Sequence, residues 1–369
     1  MKEQQHKRVI ISGGGTGGHI FPAISIANAL KHYDDRIEIL FVGAESRMEM
    51  EKVPAAGYKI VGLPVEGLKR KLTLKNFGVI CRLLSSLRMS RKIIKEFRPD
   101  VVVGVGGYAS GPVLYKAARM GIPTLIQEQN SYAGVTNKLL AKRADRICVA
   151  YDNMNKFFPE EKIVLTGNPV RSDISRNDAN IEKALLHFGL KPDKRIVLVL
   201  GGSLGSATIN NSILAGLSRV RELGYQLIWQ TGKYYFDEMS QAASTLVNED
   251  IKIMGFIDRM DFAYSIANLI ISRSGAGTIS ELCIAAKPVV LVPSPNVAED
   301  HQTMNAMALV EKGAAVMVRD KEAIDSLTNV LIGIMEDEDK QKDLINNINK
   351  MAISDSDTRI LSEILKIAK

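Results

Sequence analysis

Apolar runs of strand length recur along the chain between stretches of helical period. In the first half these runs are Val9–Ser12, Ile37–Val42, Val101–Val105, Thr124–Gln127 and Arg146–Val149. In the second half they are Ile196–Leu200, Gln226–Gln230, Leu269–Ser272 and Val289–Pro293. Between them, Ala23–Lys31, Asn210–Leu223 and Thr278–Ala286 carry helical patterns. Such alternation predicts an α/β fold, with parallel sheets covered by helices on both faces.

The chain also echoes itself. Arg8-Val9-Ile10-Ile11-Ser12-Gly13-Gly14 has a counterpart in Arg195-Ile196-Val197-Leu198-Val199-Leu200-Gly201-Gly202-Ser203. Each half opens with a buried strand that runs into a glycine loop and a helix, so two Rossmann-like domains facing across a cleft are expected. We place them at residues 1–165 and 166–369, with Arg171–Asn180 as a polar linker. The last helix, over Asp355–Lys369, is expected to return to the first domain.

Composition narrows the class. The 369 residues are 46% hydrophobic and 24% charged, which suits a globular chain long enough for two domains. No apolar run reaches the roughly 18 residues that a bilayer span needs. The N-terminus enters the first strand without a signal-peptide apolar region. Cys81, Cys148 and Cys283 are far apart and read as reduced, partly buried thiols, neither a metal site nor a disulfide framework.

The first run leads into Ser12-Gly13-Gly14-Gly15-Thr16-Gly17-Gly18-His19. A strand that breaks into glycines before a helix brings backbone N–H groups close to an anion or sugar. Gly13, Gly15 and Gly18 fit the spacing of a dinucleotide fingerprint, with Glu45 as the ribose acid, so a nicotinamide-dependent dehydrogenase is one reading. Five glycines in the six residues 13–18 exceed what a pyrophosphate turn requires. His19 adds a group that takes a proton near neutral pH, which favours transferase chemistry. A helix-capping histidine without chemistry is the plain alternative.

Later loops repeat the theme. Gly104-Val105-Gly106-Gly107-Tyr108-Ala109-Ser110-Gly111 follows a strand of the first half, as does Gln127-Glu128-Gln129-Asn130. Both lie at the carboxyl edge of the predicted sheet, where ligands bind in such folds, and the Asn130 amide can donate and accept as sugar hydroxyls require. In the second half, Gly201-Gly202-Ser203-Leu204-Gly205-Ser206 lacks the Gly-Lys-Ser/Thr of a P-loop but offers N–H groups and a hydroxyl to a diphosphate. Ser272-Arg273-Ser274-Gly275-Ala276-Gly277-Thr278-Ile279-Ser280-Glu281 opens another helix, whose N-terminus favours negative charge and whose Glu281 can accept ribose hydroxyls. Asp300-His301-Gln302 opens a further one, and Gly167-Asn168-Pro169-Val170-Arg171 places an arginine at the domain junction. His6, His32 and His187 have no metal-ligand spacing. Asp355-Ser356-Asp357 reads as a helix cap.

Between Glu66 and Arg98 the charge is one-sided. Ten basic residues (Lys69, Arg70, Lys71, Lys75, Arg82, Arg88, Arg91, Lys92, Lys95 and Arg98) face only Glu66 and Glu96, with Leu72, Leu74, Phe77, Val79, Ile80, Leu83, Leu84 and Leu87 interleaved. That pattern suits an anionic phospholipid surface, the alternative being a core helix with a solvated basic side. Nucleic acid fits poorly, because stacking aromatics are sparse here.

Taken together in this order, Gly-Gly-Thr-Gly-Gly-His, Gln-Glu-Gln-Asn, Gly-Asn-Pro-Val-Arg, Gly-Gly-Ser, Arg-Ser-Gly-Ala-Gly-Thr and His-Gln resemble glycosyltransferase family 28 over nearly the whole chain. The resemblance implies a GT-B fold and an inverting, cofactor-free and metal-independent transfer of N-acetylglucosamine from UDP-GlcNAc. The acceptor would be the C4 hydroxyl of the muramyl sugar in undecaprenyl-pyrophosphoryl-MurNAc-pentapeptide. His19 would be the base. Donor contacts would be Thr16, Gly17, Gly18, Asn130, Arg171, Ser203, Ile257, Ala276, Gly277, Thr278, Ile279, Ser280, Glu281 and Gln302. Gly14, Gly15, Tyr108, Gln127 and Glu128 would contact the acceptor. Gln127 and His301 depart from the family pattern, where histidine and glutamine are common. The protein would work at the cytoplasmic face of the plasma membrane, with cell-wall and division proteins as partners. A non-enzymatic nucleotide-sugar-binding membrane protein would keep the donor site and need no base.

Overall fold

The computed structural model describes residues 6–66, 75–170, 174, 181–202 and 204–369, without the side chains of residues 75–77, 80 and 298. The chain divides into two compact units, Met1–Val170 with Ser354–Lys369, and Arg171–Ile353. The sequence boundary at 165/166 thus has a structural counterpart at 170/171.

Unit 1 runs β1 (Arg8–Ser12), α1 (Gly17–Tyr33), β2 (Glu38–Ala44), α2 (Glu49–Ala55), β3 (Lys59–Leu63), α3 (Lys75–Phe97), β4 (Val101–Gly104), α4 (Ser110–Arg119), β5 (Thr124–Glu128), α5 (Val135–Leu140), β6 (Arg146–Val149) and β7 (Ile163–Leu165). Unit 2 runs α6 (Ile181–Phe188), β8 (Ile196–Leu200), α7 (Ala207–Glu222), β9 (Gln226–Gln230), α8 (Phe236–Ala242), β10 (Ile251–Met254), α9 (Met260–Ile266), β11 (Leu269–Ser272), α10 (Ala276–Ala285), β12 (Val289–Leu291), α11 (His301–Val310), β13 (Val316–Met317), α12 (Ala323–Met335) and α13 (Glu338–Lys350). The last helix, α14 (Ser356–Ile367), belongs to unit 1. Its Ile360 and Ile364 are buried in the same cluster as Val9 and Ile11 of β1 and Ile26 and Leu30 of α1.

Both sheets are parallel. Unit 1 has the order β3-β2-β1-β4-β5-β6-β7 and unit 2 the order β10-β9-β8-β11-β12-β13. Val101–Val103 of β4 and Ile196–Val199 of β8 are almost wholly buried, as strands covered on both faces must be. In each sheet the chain order reverses beside the first strand, between β1 and β4 and between β8 and β11. Ligands of such sheets bind at that reversal, beyond the carboxyl ends of the strands.

Asp355 differs from its expected role. It precedes α14 but makes no side-chain cap, because its Oδ1 accepts from Arg359 Nε at 2.8 Å.

Candidate active site

In unit 1 the reversal brings two glycine loops together, residues 13–16 after β1 and 105–109 after β4. Their backbones touch. A Cβ on Gly107 would collide with the main chain of Gly14, and one on Gly13 would meet Val105 and the Gly106 carbonyl. Much of the glycine content therefore serves loop-on-loop packing. Thr16 is the N-cap of α1 but makes no side-chain cap. Its Oγ1 lies 3.2 Å from His19 Nδ1 and orients the ring. On the other side of that ring, a Cβ on Gly106 (φ +90°) would stand 2.9 Å from His19 Nε2, so Gly106 keeps the space beside that nitrogen clear of a side chain. Tyr108 on the same loop is 58% exposed.

Beneath the first loop lies a group that sequence reading passes over. Glu49, the first residue of α2, is 1% exposed and accepts the Gly15 N–H through Oε2 at 3.0 Å. A pyrophosphate cradle needs such N–H groups open and no anion under them. The dinucleotide reading of Gly13, Gly15 and Gly18 loses its physical basis here.

The loop after β5 is organised by Glu128. One carboxylate oxygen accepts from the main-chain N–H (3.1 Å) and side-chain amide (3.3 Å) of Asn130, the other from Gly134 N (3.0 Å) and Asn137 Nδ2 (2.9 Å). Gln127 is fully buried; its Nε2 donates to Asn168 Oδ1 at 2.8 Å, and its Oε1 accepts from Gln129. Gln127 and Glu128, expected to contact the acceptor, make these hydrogen bonds within the protein. They fix the half-buried Asn130 and the Asn168 turn.

In unit 2 the reversal brings the loop that follows β8 next to the one that follows β11, since Leu200 pairs with Ser272 at the ends of these strands. Gly205 and Gly232 pack backbone on backbone, each with a φ near +80° (82° and 83°) that other residues rarely adopt. Ser206 caps α7, accepting from Ile209 N at 3.2 Å. The start of α10 is different. Its N-cap is Gly275, without a side chain to satisfy the first amides and with no acid in the first turn. The start of α10 thus presents the positive end of a helix dipole, uncapped by a side chain, which favours a phosphate. Ala276 and Ile279 are buried, so only their main chain can serve a ligand, whereas Gly277, Thr278, Ser280 and Glu281 are half-buried. Glu281 accepts a hydrogen bond from Tyr264 Oη at 3.0 Å, which aims the carboxylate.

Gln302 joins two loops. Its Oε1 accepts from Ser274 N (3.3 Å) and Ser294 N (2.9 Å), which fixes the amide orientation and presents Nε2 as the donor. Arg273 supports the same corner, donating through Nη1 to the carbonyls of Val292 (2.9 Å) and Pro293 (3.1 Å) and pairing with Asp320. His301 is held by Glu299 at 3.1 Å. Ile257, after β10, is buried, while its neighbour Phe256 is 48% exposed and offers a flat face that the sequence reading did not single out. An exposed aromatic next to a strand end was the available signal. Arg171 and Ser203 lie outside the described residues. Among the described residues no cluster of three or more His, Cys, Asp or Glu side chains has metal-site geometry.

Comparison with known proteins decides the family. The model of the glycosyltransferase family 28 N-terminal domain matches residues 9–149, and that of the family 28 C-terminal domain matches residues 196–360. The chain belongs to glycosyltransferase family 28. It is an enzyme of the transferase class, and its two parallel-sheet units are those of a GT-B fold. The UDP-N-acetylglucosamine--N-acetylmuramyl-(pentapeptide) pyrophosphoryl-undecaprenol N-acetylglucosamine transferase of Parabacteroides distasonis is 59% identical over 360 residues, 98% of each chain. The transferase of the same name from Phocaeicola vulgatus is 56% identical, covering 99% of this chain and 97% of its own. The crystal structure of MurG from Acinetobacter baumannii superposes with a TM-score of 0.81 at 27% identity, over 98% of this chain and 99% of that one.

Proposed function

We propose that this family 28 enzyme moves N-acetylglucosamine from UDP-GlcNAc to the C4 hydroxyl of MurNAc in undecaprenyl-pyrophosphoryl-MurNAc-pentapeptide. The observation that carries the reading is the 59% identity, spanning both units, to a transferase named for that reaction.

Unit 2 takes the donor. The positive N-terminal end of α10 receives the diphosphate, Glu281 accepts the ribose hydroxyls, and the Gln302 amide N–H2 donates to a sugar hydroxyl. The Ile257 main chain meets the uracil edge with Phe256 beside it, and Arg171 and Ser203 add charge and a hydroxyl at the leaving group. Unit 1 supplies the base, with Thr16, Gly17, Gly18 and Asn130 completing the donor contacts and Tyr108, Gly14 and Gly15 meeting the acceptor. His19, its Nδ1 3.2 Å from the Thr16 hydroxyl, takes the proton of the attacking hydroxyl. The oxygen attacks the anomeric carbon from the face opposite UDP as the C–O bond to the diphosphate breaks, inverting the centre in one step. Negative charge developing on the departing UDP is met by helix amides and Arg171, the task that a metal performs elsewhere.

The decisive experiment follows labelled UDP-GlcNAc with a lipid-linked acceptor. Transfer of the label with release of UDP, undiminished in excess chelator, is expected. No transfer would reject the reading, and loss in chelator would reject its metal-free part.

A second property concerns location. No helix of the described residues is long and apolar enough to cross a membrane. On α3, Ser86, Ser90 and Ile94 face inward, while Arg88, Arg91, Lys92 and Lys95 are exposed beside Leu83 (43%) and Leu84 (49%). The basic and apolar positions at 69–74 lie outside the described residues. This surface docks on the anionic cytoplasmic leaflet where the acceptor is held, each surface-proximal cation contributing about 1 kcal/mol. Co-sedimentation with phosphatidylglycerol liposomes should weaken with salt and with charge reversal at Arg88, Arg91 and Lys92. Binding indifferent to both would remove the proposal. Cell-wall and division proteins remain the partners such an enzyme would meet there.

A further inference from the structure

Glu49 lies outside every role assigned above, and its surroundings are unusual for a carboxylate. It is 1% exposed, and among the described residues no lysine, arginine or histidine pairs with it. Its charge is answered by main chain. Oε1 accepts from Ala44 N at 2.9 Å, the last residue of β2, and Oε2 accepts from Gly15 N at 3.0 Å, in the loop after β1. One side chain thus bridges the ends of two neighbouring strands, β1 and β2, which pair in register from Arg8↔Glu38 to Ser12↔Val42. Two glycines make room for it. A Cβ on Gly14 would run into the Glu49 carboxylate, and one on Gly43 would stand 2.6 Å from its Cγ.

Burying a charge without a counter-ion is costly, and an apolar side chain of similar volume would fill this space more cheaply. What an apolar residue could not do is hold the Gly15 amide. Gly15 (φ +90°) is exposed, and without a bond its backbone has a wide choice of conformations. The next residue is Thr16, whose hydroxyl orients His19. Position is thereby passed from Glu49 to Gly15, from Gly15 to Thr16, and from Thr16 to the imidazole.

The geometry points to Glu49 as a positioning residue for the transfer step, clamping the first glycine loop so that the Thr16–His19 pair stands where the acceptor hydroxyl is deprotonated. The inference rests on the transferase reading and on His19 as its base. It adds a residue that touches neither substrate. It also gives each of the three consecutive glycines at 13–15 a packing reason besides the acceptor contact proposed for Gly14 and Gly15, since Gly13 packs on the Gly106 carbonyl, Gly14 on Glu49, and Gly15 takes the left-handed backbone conformation that presents its N–H to the carboxylate.

The test compares the wild-type enzyme with Glu49→Gln and Glu49→Asp. The glutamine keeps the shape but turns an N–H2 toward one of the two amides. The aspartate keeps the charge but is one methylene too short to bridge both. Three quantities are read: kcat for transfer to the lipid-linked acceptor, the UDP-GlcNAc dissociation constant by calorimetry, and amide hydrogen exchange by mass spectrometry. In both variants kcat should fall at least about tenfold, as expected when a catalytic group is displaced by a fraction of an ångström to an ångström. The donor dissociation constant should change far less than kcat, because Thr16, Gly17 and Gly18 are a minority of the proposed donor contacts and the rest lie in unit 2. Faster exchange should be confined to the peptides covering residues 12–20 and Ala44, the two places whose amides Glu49 holds. A kcat equal to wild type in either variant would overturn the clamp. So would exchange that rises throughout unit 1, or failure of both variants to fold, since each marks a role in general stability. If Glu49→Gln alone fails to fold, Glu49→Asp decides. Should the wild-type enzyme transfer nothing, the transferase reading falls, and the exchange pattern still reports separately on whether Glu49 holds the loop.

Discussion

The glycine loops that follow β1 and β8 look alike in sequence, yet the helices they open begin differently. Ser206 caps α7 in the ordinary manner, its Oγ accepting the Ile209 N–H. Thr16 holds the same place on α1 and makes no cap, because its hydroxyl lies against His19 Nδ1. What lies beneath the loops differs too. The first rests on a buried carboxylate and the second on the backbone of Gly232. Strand, glycine loop and helix are therefore a shared frame. The chemistry is decided by where the cap hydroxyl and the loop amides are committed: in unit 1 the hydroxyl lies against the His19 ring and the Gly15 amide is held by Glu49.

The largest effect should come from removing that ring. His19→Ala should lower kcat by about 10²–10⁴-fold, the usual worth of a positioned general base, with UDP-GlcNAc affinity unchanged by calorimetry. Near-wild-type kcat at saturating donor would end the assignment. A matched pair of glycine substitutions should then separate the units. Gly106→Ala puts a methyl against His19 Nε2 and should reduce kcat by roughly tenfold to a hundredfold with donor affinity intact. Gly232→Ala drives a methyl into Gly205 in the second loop and should weaken donor binding instead. Each replaced glycine has a positive φ, so each variant should also lose about 1 kcal/mol of stability. Identical kinetic signatures in the two variants would dissolve the distinction between the loops.

The two cap residues give a finer contrast. Ser206→Ala removes a real cap and should cost about 1 kcal/mol, seen as a lower denaturation midpoint. Thr16→Val removes no cap, so the midpoint should hardly move, while kcat falls as His19 loses its orienting partner. A stability loss in Thr16→Val equal to that in Ser206→Ala would show that the threonine hydroxyl serves the helix after all.

How much of this was legible in the sequence has a physical pattern. The strands read from apolar runs are β1, β2, β4, β5, β6, β8, β9, β11 and β12, all interior to their sheets. The strands passed over, β3, β7, β10 and β13, are the four sheet edges. An edge strand is covered less completely, and these are largely half-buried, so they lack the continuous apolar run that marks a central strand. The start of α1 was legible from the glycine loop rather than from apolar periodicity, because Gly17, Gly18 and Pro22 are poor helix formers whose placement is set by the loop before them. At the site, loops at strand ends were visible from glycine content, and Thr16, His19, Glu281 and Gln302 from residue type. Glu49 and Tyr264 were not, since each acts through a partner remote in sequence: Gly15 for one, Glu281 for the other. Gln127 and Glu128 were visible as polar residues at a strand end, but only packing shows that their hydrogen-bonding groups are turned inward.

The smallest expected effect compares the interiors of the two units through one thiol in each. Cys148 on β6 and Cys283 on α10 are both buried, and burial pushes each thiol up to about 12, with the Glu363 carboxylate adding to the rise at Cys148. In the unfolded chain a cysteine ionises near about 8.5, so the unfolded state loses these protons first. The stability contributed by keeping them protonated is therefore complete below that pH and is lost as pH rises toward 12. Cys81 on α3 is exposed. Iodoacetamide at about pH 8 should modify Cys81 in the native enzyme and reach the two buried thiols only when their unit opens. Peptide mass spectrometry across a urea series then follows Cys148 as the reporter of unit 1 and Cys283 as that of unit 2. If one thiol becomes reactive at lower urea, its unit opens alone, and the contrast between the loops extends to the domains that carry them. If both become reactive together at every concentration, the units unfold as one and the contrast is confined to the loops. Native labelling of either buried thiol at the rate of Cys81 would contradict the burial itself.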